Sequence, residues 1–146
     1  MSLKNYLNRF LIFFILSSSA WANEILHDFK ILEVIDGDTI RIEANFLPQP
    51  LKPSLLLRIN GVDAPEKGSR AKCAEERVMS KNALNYVKDL FQKGIQQKVL
   101  ITKWDKFGGR VLGDVLIGDR YLSELLISNG FAKKYNGGKK ESWCDD

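Results

Sequence analysis

The chain has 146 residues, with 22 Lys and Arg against 18 Asp and Glu, one histidine and two cysteines; 45% of it is hydrophobic. That length supports one hydrophobic core and is too short for two domains. A formal charge of +4 does not by itself argue for a nucleic-acid partner, a single histidine with two distant cysteines disfavours zinc, and no internal repeat or low-complexity tract points to an array or a linker.

Residues 1–22 have the pattern of an export signal. Lys4 and Arg9 form a positive start, residues 10–16 are an apolar run, and Ser17-Ser18-Ser19-Ala20-Trp21-Ala22 ends in small-x-small, the spacing a signal peptidase cleaves. The run falls well short of the ~20 apolar residues that span a bilayer. Cleavage is expected after Ala22, with the product bound for the periplasm or the medium, and it lowers the charge to +2 because the segment holds two bases and no acid. In an oxidising compartment Cys73 and Cys144 are expected to form a disulfide that pins the C-terminal tail, two free thiols being the alternative. Closing a loop of about 70 residues contributes about 4 kcal/mol in the chain-entropy account.

Residues 25–43 alternate apolar and β-branched side chains around Asp36-Gly37-Asp38, which predicts two strands and a tight turn. Pro48, Pro50 and Pro53 make the next stretch a loop or sheet edge. Residues 54–62 return to an apolar strand interrupted by Arg58 and Asn60, and an arginine in such a strand is usually aimed at something. Asp63-Ala64-Pro65-Glu66 then ends it as a turn, Pro65 fixing the backbone beside two acids. From 71 to 93 the spacing becomes helical, with Ala74, Val78, Leu84, Val87, Leu90 and Phe91 on the apolar face and Gly94 as the cap. Residues 97–104 and 110–117 read as strands around a Gly108-Gly109 turn. Gly118-Asp119-Arg120 turns again into a short helix through Leu122, Leu125 and Leu126 that stops at Asn129-Gly130. The expected fold is α+β, mainly β: a five-stranded OB-fold barrel with two helices, an architecture whose face commonly binds nucleic acid.

Three short segments hold most of the charged residues that chemistry would use: Asp36 and Asp38, then Arg58, Asp63 and Glu66, then Asp105, Lys106 and Arg110. A phosphodiester repels bare carboxylates, so Asp38, Asp63 and Glu66 gathered near one make sense only with a divalent cation between them. The arginines supply the remaining positive charge.

In combination and in order, D-G-D-T, R-x-x-x-x-D-x-P-E and D-K-F-G-G-R resemble the motifs of the staphylococcal nuclease family, the thermonucleases, over about residues 31–135. The resemblance implies Ca²⁺ held by Asp38, Asp63 and the backbone carbonyl of Ala64, oxygen donors that suit this cation. Ala64 stands where the family often has threonine, and a carbonyl ligand needs no hydroxyl. Asp36 is assigned to the turn. Glu66 corresponds to the family's general base, or to a residue that orders the loop and the metal's water shell. Arg58 and Arg110 correspond to the two arginines on the phosphate, whose planar forks bind a doubly charged five-coordinate species more tightly than the singly charged diester. Lys106 and Phe107 fall beside the nucleotide, and one glycine more than the common D-K-Y-G-R form precedes Arg110. Tyr135 falls near the base-stacking tyrosines, ordinary rim packing being its alternative. Lys133, Lys134, Lys139 and Lys140 form a basic tail that either tracks a nucleic-acid backbone or is a solvated end. The implied function is calcium-dependent hydrolysis of DNA and RNA with little sequence preference, leaving 3′-phosphate ends, by a monomer with no obligate protein partner and no membrane attachment after signal removal. The alternative is a non-catalytic nucleic-acid-binding module on the same barrel.

Overall fold

Alternation along the strands decides what this chain buries. The computed structural model describes residues 24–144, so the export signal expected in residues 1–22 lies outside the described residues. In chain order the elements are β1 (Leu26–His27), β2 (Ile31–Asp36), β3 (Thr39–Glu43), β4 (Ser54–Ile59), β5 (Val62–Asp63), a 3₁₀ turn (Gly68–Arg70), α1 (Ala74–Gln92), β6 (Gln97–Trp104), β7 (Arg110–Ile117), β8 (Arg120–Tyr121), α2 (Leu122–Ser128) and β9 (Lys133–Lys134). Every second residue of β4 and β7 is buried, as the two-residue period of a strand requires. Leu55, Leu57 and Ile59 therefore join Val111, Val115 and Ile117 in the core, with Ile40 and Ile42 of β3, Val87 and Leu90 of α1, and Leu122 and Leu126 of α2.

The main sheet runs β1-β6-β7-β4-β3-β2, with β8 added beside β7. β4 pairs antiparallel with β3 and parallel with β7. The five expected strands are present as β2, β3, β4, β6 and β7, but the closed five-stranded barrel is not. Among the described residues the sheet has seven strands, no ladder joins its β1 and β2 edges, and β5 leaves it to pair with β9. The additional strands are two residues long, too short to carry a periodic signal. β5 separates from β4 because the chain turns at Asn60-Gly61, where Gly61 has φ +76°. The result is a mostly β α+β fold with two helices.

The inward face of α1 also differs from its sequence pattern. Its buried residues are Glu76, Ser80, Ala83, Val87 and Leu90, while Val78 is 57% exposed. Nearer its N-terminus the helix packs against the Gly37 turn and the loop after β5, and a buried carboxylate there serves backbone N–H groups in place of apolar contact. A Cβ at Gly37 would lie 2.8 Å from the Ala83 Cβ and 3.0 Å from the Ala64 Cβ. Neither methyl can rotate away, so Gly37→Ala is expected to destabilise the fold by about 1–3 kcal/mol. Urea unfolding followed by circular dichroism checks this; an unchanged midpoint would show that helix and turn are not packed this closely.

Cys73 and Cys144 are disulfide-bonded with their Cα atoms 6.0 Å apart. Cys73 is also the N-cap of α1, so the bridge fastens the tail to the start of the helix. No helix among the described residues is long and apolar enough to cross a membrane.

Candidate active site

Register on β4 assembles the site. Thr39 lies opposite Arg58 across the antiparallel ladder, and Leu56 and Arg58 lie opposite Arg110 and Leu112 across the parallel one. With Leu55, Leu57 and Ile59 in the core, Arg58 and Arg110 share the opposite face, and the β2–β3 turn carries Asp38 to the same place. The face opens into a cleft of about 700 Å³ lined by Asp38, Arg58, Ala64, Glu66, Lys106, Phe107, Arg110 and Tyr135, with Asp36, Arg70, Lys103, Asp105 and Lys140 among their neighbours.

Arg58 holds the centre. Nη1 pairs with Asp38 Oδ1, and Nη2 donates to the Val62 carbonyl at 3.2 Å and lies 3.7 Å from Asp63 Oδ1. Burial lowers its pKa below the ordinary arginine value, while Asp36 and Asp63 act to keep the charge in place. Asp38 is fixed on both oxygens: Oδ2 accepts the Ala64 N–H at 2.7 Å, and Oδ1 accepts the Thr39 hydroxyl at 3.2 Å. One hydrogen bond thus stitches the Asp38 turn to the loop that carries Glu66.

Asp63 is only 4% exposed. Lys140 Nζ lies 2.7 Å from its Oδ1 and Arg58 Nη2 lies 3.7 Å from it, so two side-chain cations face that buried oxygen. Carboxylates buried this deeply are expensive unless positive charge lies beside them. Asp63 and Asp38, two buried carboxylates within 4 Å of the same guanidinium, therefore fit a hard divalent cation such as Ca²⁺. Among the described residues, Cys73, Glu76 and Cys144 also bring three potential ligand atoms together, but the two sulfurs are bonded to each other.

Glu66 Oε2 lies 3.2 Å from Arg70 Nε, and Oε1 lies 3.0 Å from Lys140 Nζ. Its backbone N–H donates to Glu76 Oε1 at 3.0 Å, and Glu76 Oε2 accepts from Lys72 N–H at 2.7 Å. Arg70, Glu76 and Lys140 are the site neighbours that sequence reading missed or left open. Arg70 stands four residues after Glu66, and Glu76 stands three after the N-cap, the spacing of a capping box; both signals were available. Burial disfavours the Lys140 charge, but the Asp63 and Glu66 carboxylates outweigh it and raise the pKa.

On the opposite wall the additional glycine is absorbed by the turn. Gly109 takes φ +73°, Asp105 N–H closes onto the Arg110 carbonyl at 3.1 Å, and Arg110 Nε pairs with the Asp105 carboxylate. Phe107 is 53% exposed at the mouth, with Arg110 Cζ 4.6 Å and Lys106 Nζ 5.2 Å from its ring centre. Tyr135 is more constrained: its N–H donates to Gly61 O at 2.9 Å and its hydroxyl to Gly138 O at 3.0 Å. With Asp63 included, five acids meet six bases around the cleft, a balance that admits an anion once the acids are neutralised.

No curated protein is similar enough to the chain to count as a match. The family model described as staphylococcal nuclease homologue matches residues 56–144. The Asp38 turn precedes that match and is tied to it by the Thr39–Arg58 register and the Ala64–Asp38 hydrogen bond. Over more than half its length, therefore, the chain belongs to the staphylococcal nuclease homologue family.

Proposed function

We propose that the protein is an exported, calcium-dependent nuclease that hydrolyses phosphodiester bonds in DNA and RNA with little sequence preference. The observation that carries this reading is the position of Arg58, between the buried carboxylates of Asp38 and Asp63 and on one cleft with Glu66 and Arg110. Asp38, Asp63 and the Ala64 carbonyl would hold calcium, which would supply positive charge beside the phosphate and acidify a nearby water. Glu66, held by its backbone N–H on Glu76, takes the proton of the attacking water. Arg58 and Arg110 donate to the phosphate oxygens, and their hold strengthens as the diester gains a second negative charge. Asp105 orients Arg110 from behind. Phe107 offers an exposed ring to whichever base lies next to the cut, which accounts for low sequence preference. Family membership supports cleavage of the bond to the 5′ oxygen, with 3′-phosphate ends. The pattern of residues 1–22 and the Cys73–Cys144 bridge support export.

The test is cleavage of single-stranded DNA and RNA by the chain from Asn23 onward, with calcium and with a chelator. Cleavage is expected to stop on chelation and to return with excess calcium. At 100 times the dissociation constant, calcium should also stabilise the fold by about 2.7 kcal/mol, read as a higher unfolding midpoint. Tight binding with no cleavage under any divalent metal would replace this reading with a nucleic-acid-binding module.

A further inference from the structure

We propose that Lys140 is a built-in competitor for the divalent cation, held at the Asp63 and Glu66 carboxylates by the tail that the Cys73–Cys144 bridge fastens. The inference rests on the reading of Asp38, Asp63 and the Ala64 carbonyl as a cation site with Glu66 beside it. Lys140 Nζ lies 2.7 Å from Asp63 Oδ1 and 3.0 Å from Glu66 Oε1, between a carboxylate assigned to the cation and the one assigned to the attacking water. Arg58 and Arg70 cover the remaining charge. Asp38, Asp63 and Glu66 thus face three side-chain cations, and a divalent ion entering beside Asp63 has to move one of them.

Lys140 is the exposed cation that sits on Asp63. The Arg58 side chain is 17% exposed, sits on a central strand and donates to a backbone carbonyl. Arg70 is 62% exposed but pairs with Glu66 Oε2 and Asp36 and not with Asp63, so an ion beside Asp63 leaves it in place. The Lys140 side chain is 42% exposed and carries a single charge on a flexible stem. A divalent ion brings twice that charge to the same oxygens, so exchange is favourable but opposed.

The tail keeps the competitor close. Tyr135 N–H is bonded to Gly61 O at one end of the segment, and Gly137 and Gly138, at φ +94° and +84°, make the turn that returns it to the cleft. Beyond Lys140, Lys133 Nζ donates to Ser142 O at 2.6 Å, lies 3.6 Å from Glu141 Oε2 and stands 4.8 Å from the centre of the Trp143 ring; Cys144 then closes the bridge. Fastened at both ends, the ammonium acts at a high effective concentration, and opening the bridge dilutes it. Calcium affinity in this protein is therefore linked to the state of one disulfide.

Calcium titration by calorimetry tests this on the chain from Asn23 onward, which contains all of the described fold. Lys140→Ala with the bridge intact is expected to bind calcium about 5–10-fold more tightly than the parent, the scale of two partly exposed ion pairs. Opening the bridge with a dithiol should move the parent part of the way toward that affinity and leave Lys140→Ala unchanged. Equal or weaker binding by Lys140→Ala overturns the proposal while leaving the cation site standing. Folded parent and variant that both fail to bind calcium overturn the site reading and the proposal with it. If circular dichroism shows that reduction unfolds the chain, the comparison with the bridge intact decides alone.

Discussion

Arg58→Lys is expected to slow phosphodiester cleavage about 10²–10³-fold, the loss found when a preorganised donor to a developing charge is removed. Lysine keeps the charge but has no planar fork, and the guanidinium at this position has three partners in three directions: Asp38, Asp63 and the Val62 carbonyl. A point charge on a flexible stem cannot meet them together and still present a donor pair to phosphate. Arg58→Ala separates the two tasks of the residue. It is expected to cost at least as much rate, and also about 2–4 kcal/mol of stability, because Asp38 and Asp63 stay buried beside each other without their shared cation. Calcium should then recover more stability in Arg58→Ala than in the parent. Initial rates on single-stranded DNA and urea unfolding with and without calcium measure both effects. Cleavage by Arg58→Lys at the parental rate would remove Arg58 from the proposed chemistry.

Legibility in the sequence followed the length of the signal. β4 and β7 could be read from pattern alone because their alternation is unbroken over six and eight residues. The two-residue strands offered no period, and barrel closure is a matter of which edges meet, which no single strand encodes. On α1, Val78 looked like core because helical spacing counts apolar residues, whereas the position that faces inward near the helix start is filled by Glu76 for its hydrogen bonds. Asp38, Arg58, Asp63, Glu66 and Arg110 stood out because each lies in a contiguous motif; Asp38, Arg58, Glu66 and Arg110 line one cleft, and Asp63 is buried beside Arg58. Lys140 did not stand out. It meets Glu66 across 74 positions of sequence through a turn and a disulfide, and a lysine in a basic tail reads as solvated until the fold shows what it touches.

Gly113→Ala is expected to leave the chain unable to fold, at a cost above about 4 kcal/mol. A Cβ at this position would lie 1.8 Å from the Leu100 carbonyl oxygen and 2.9 Å from both the Leu100 carbonyl carbon and Leu57 Cδ1. The first two are backbone of β6, so relief requires moving one strand of the sheet away from another, which costs far more than a rotamer change. The location makes the effect functional as well. Gly113 is paired with Ile101 beside the irregularity in β6 and with Ile59 on β4, and its carbonyl accepts the Asn60 N–H at 2.7 Å. Any shift of β7 therefore moves Arg110, three residues back, relative to Arg58, one residue before Ile59. Gly108→Ala is the control: no atom lies within 4 Å of its Cβ position and its φ is negative, so it should be neutral or stabilise by a few tenths of a kcal/mol through the unfolded chain. Soluble yield and urea unfolding of the two variants side by side decide the matter. A folded Gly113→Ala with parental stability would mean that β6 and β7 do not pass as closely as this sheet has them, and the alignment of the two arginines would have to be sought elsewhere.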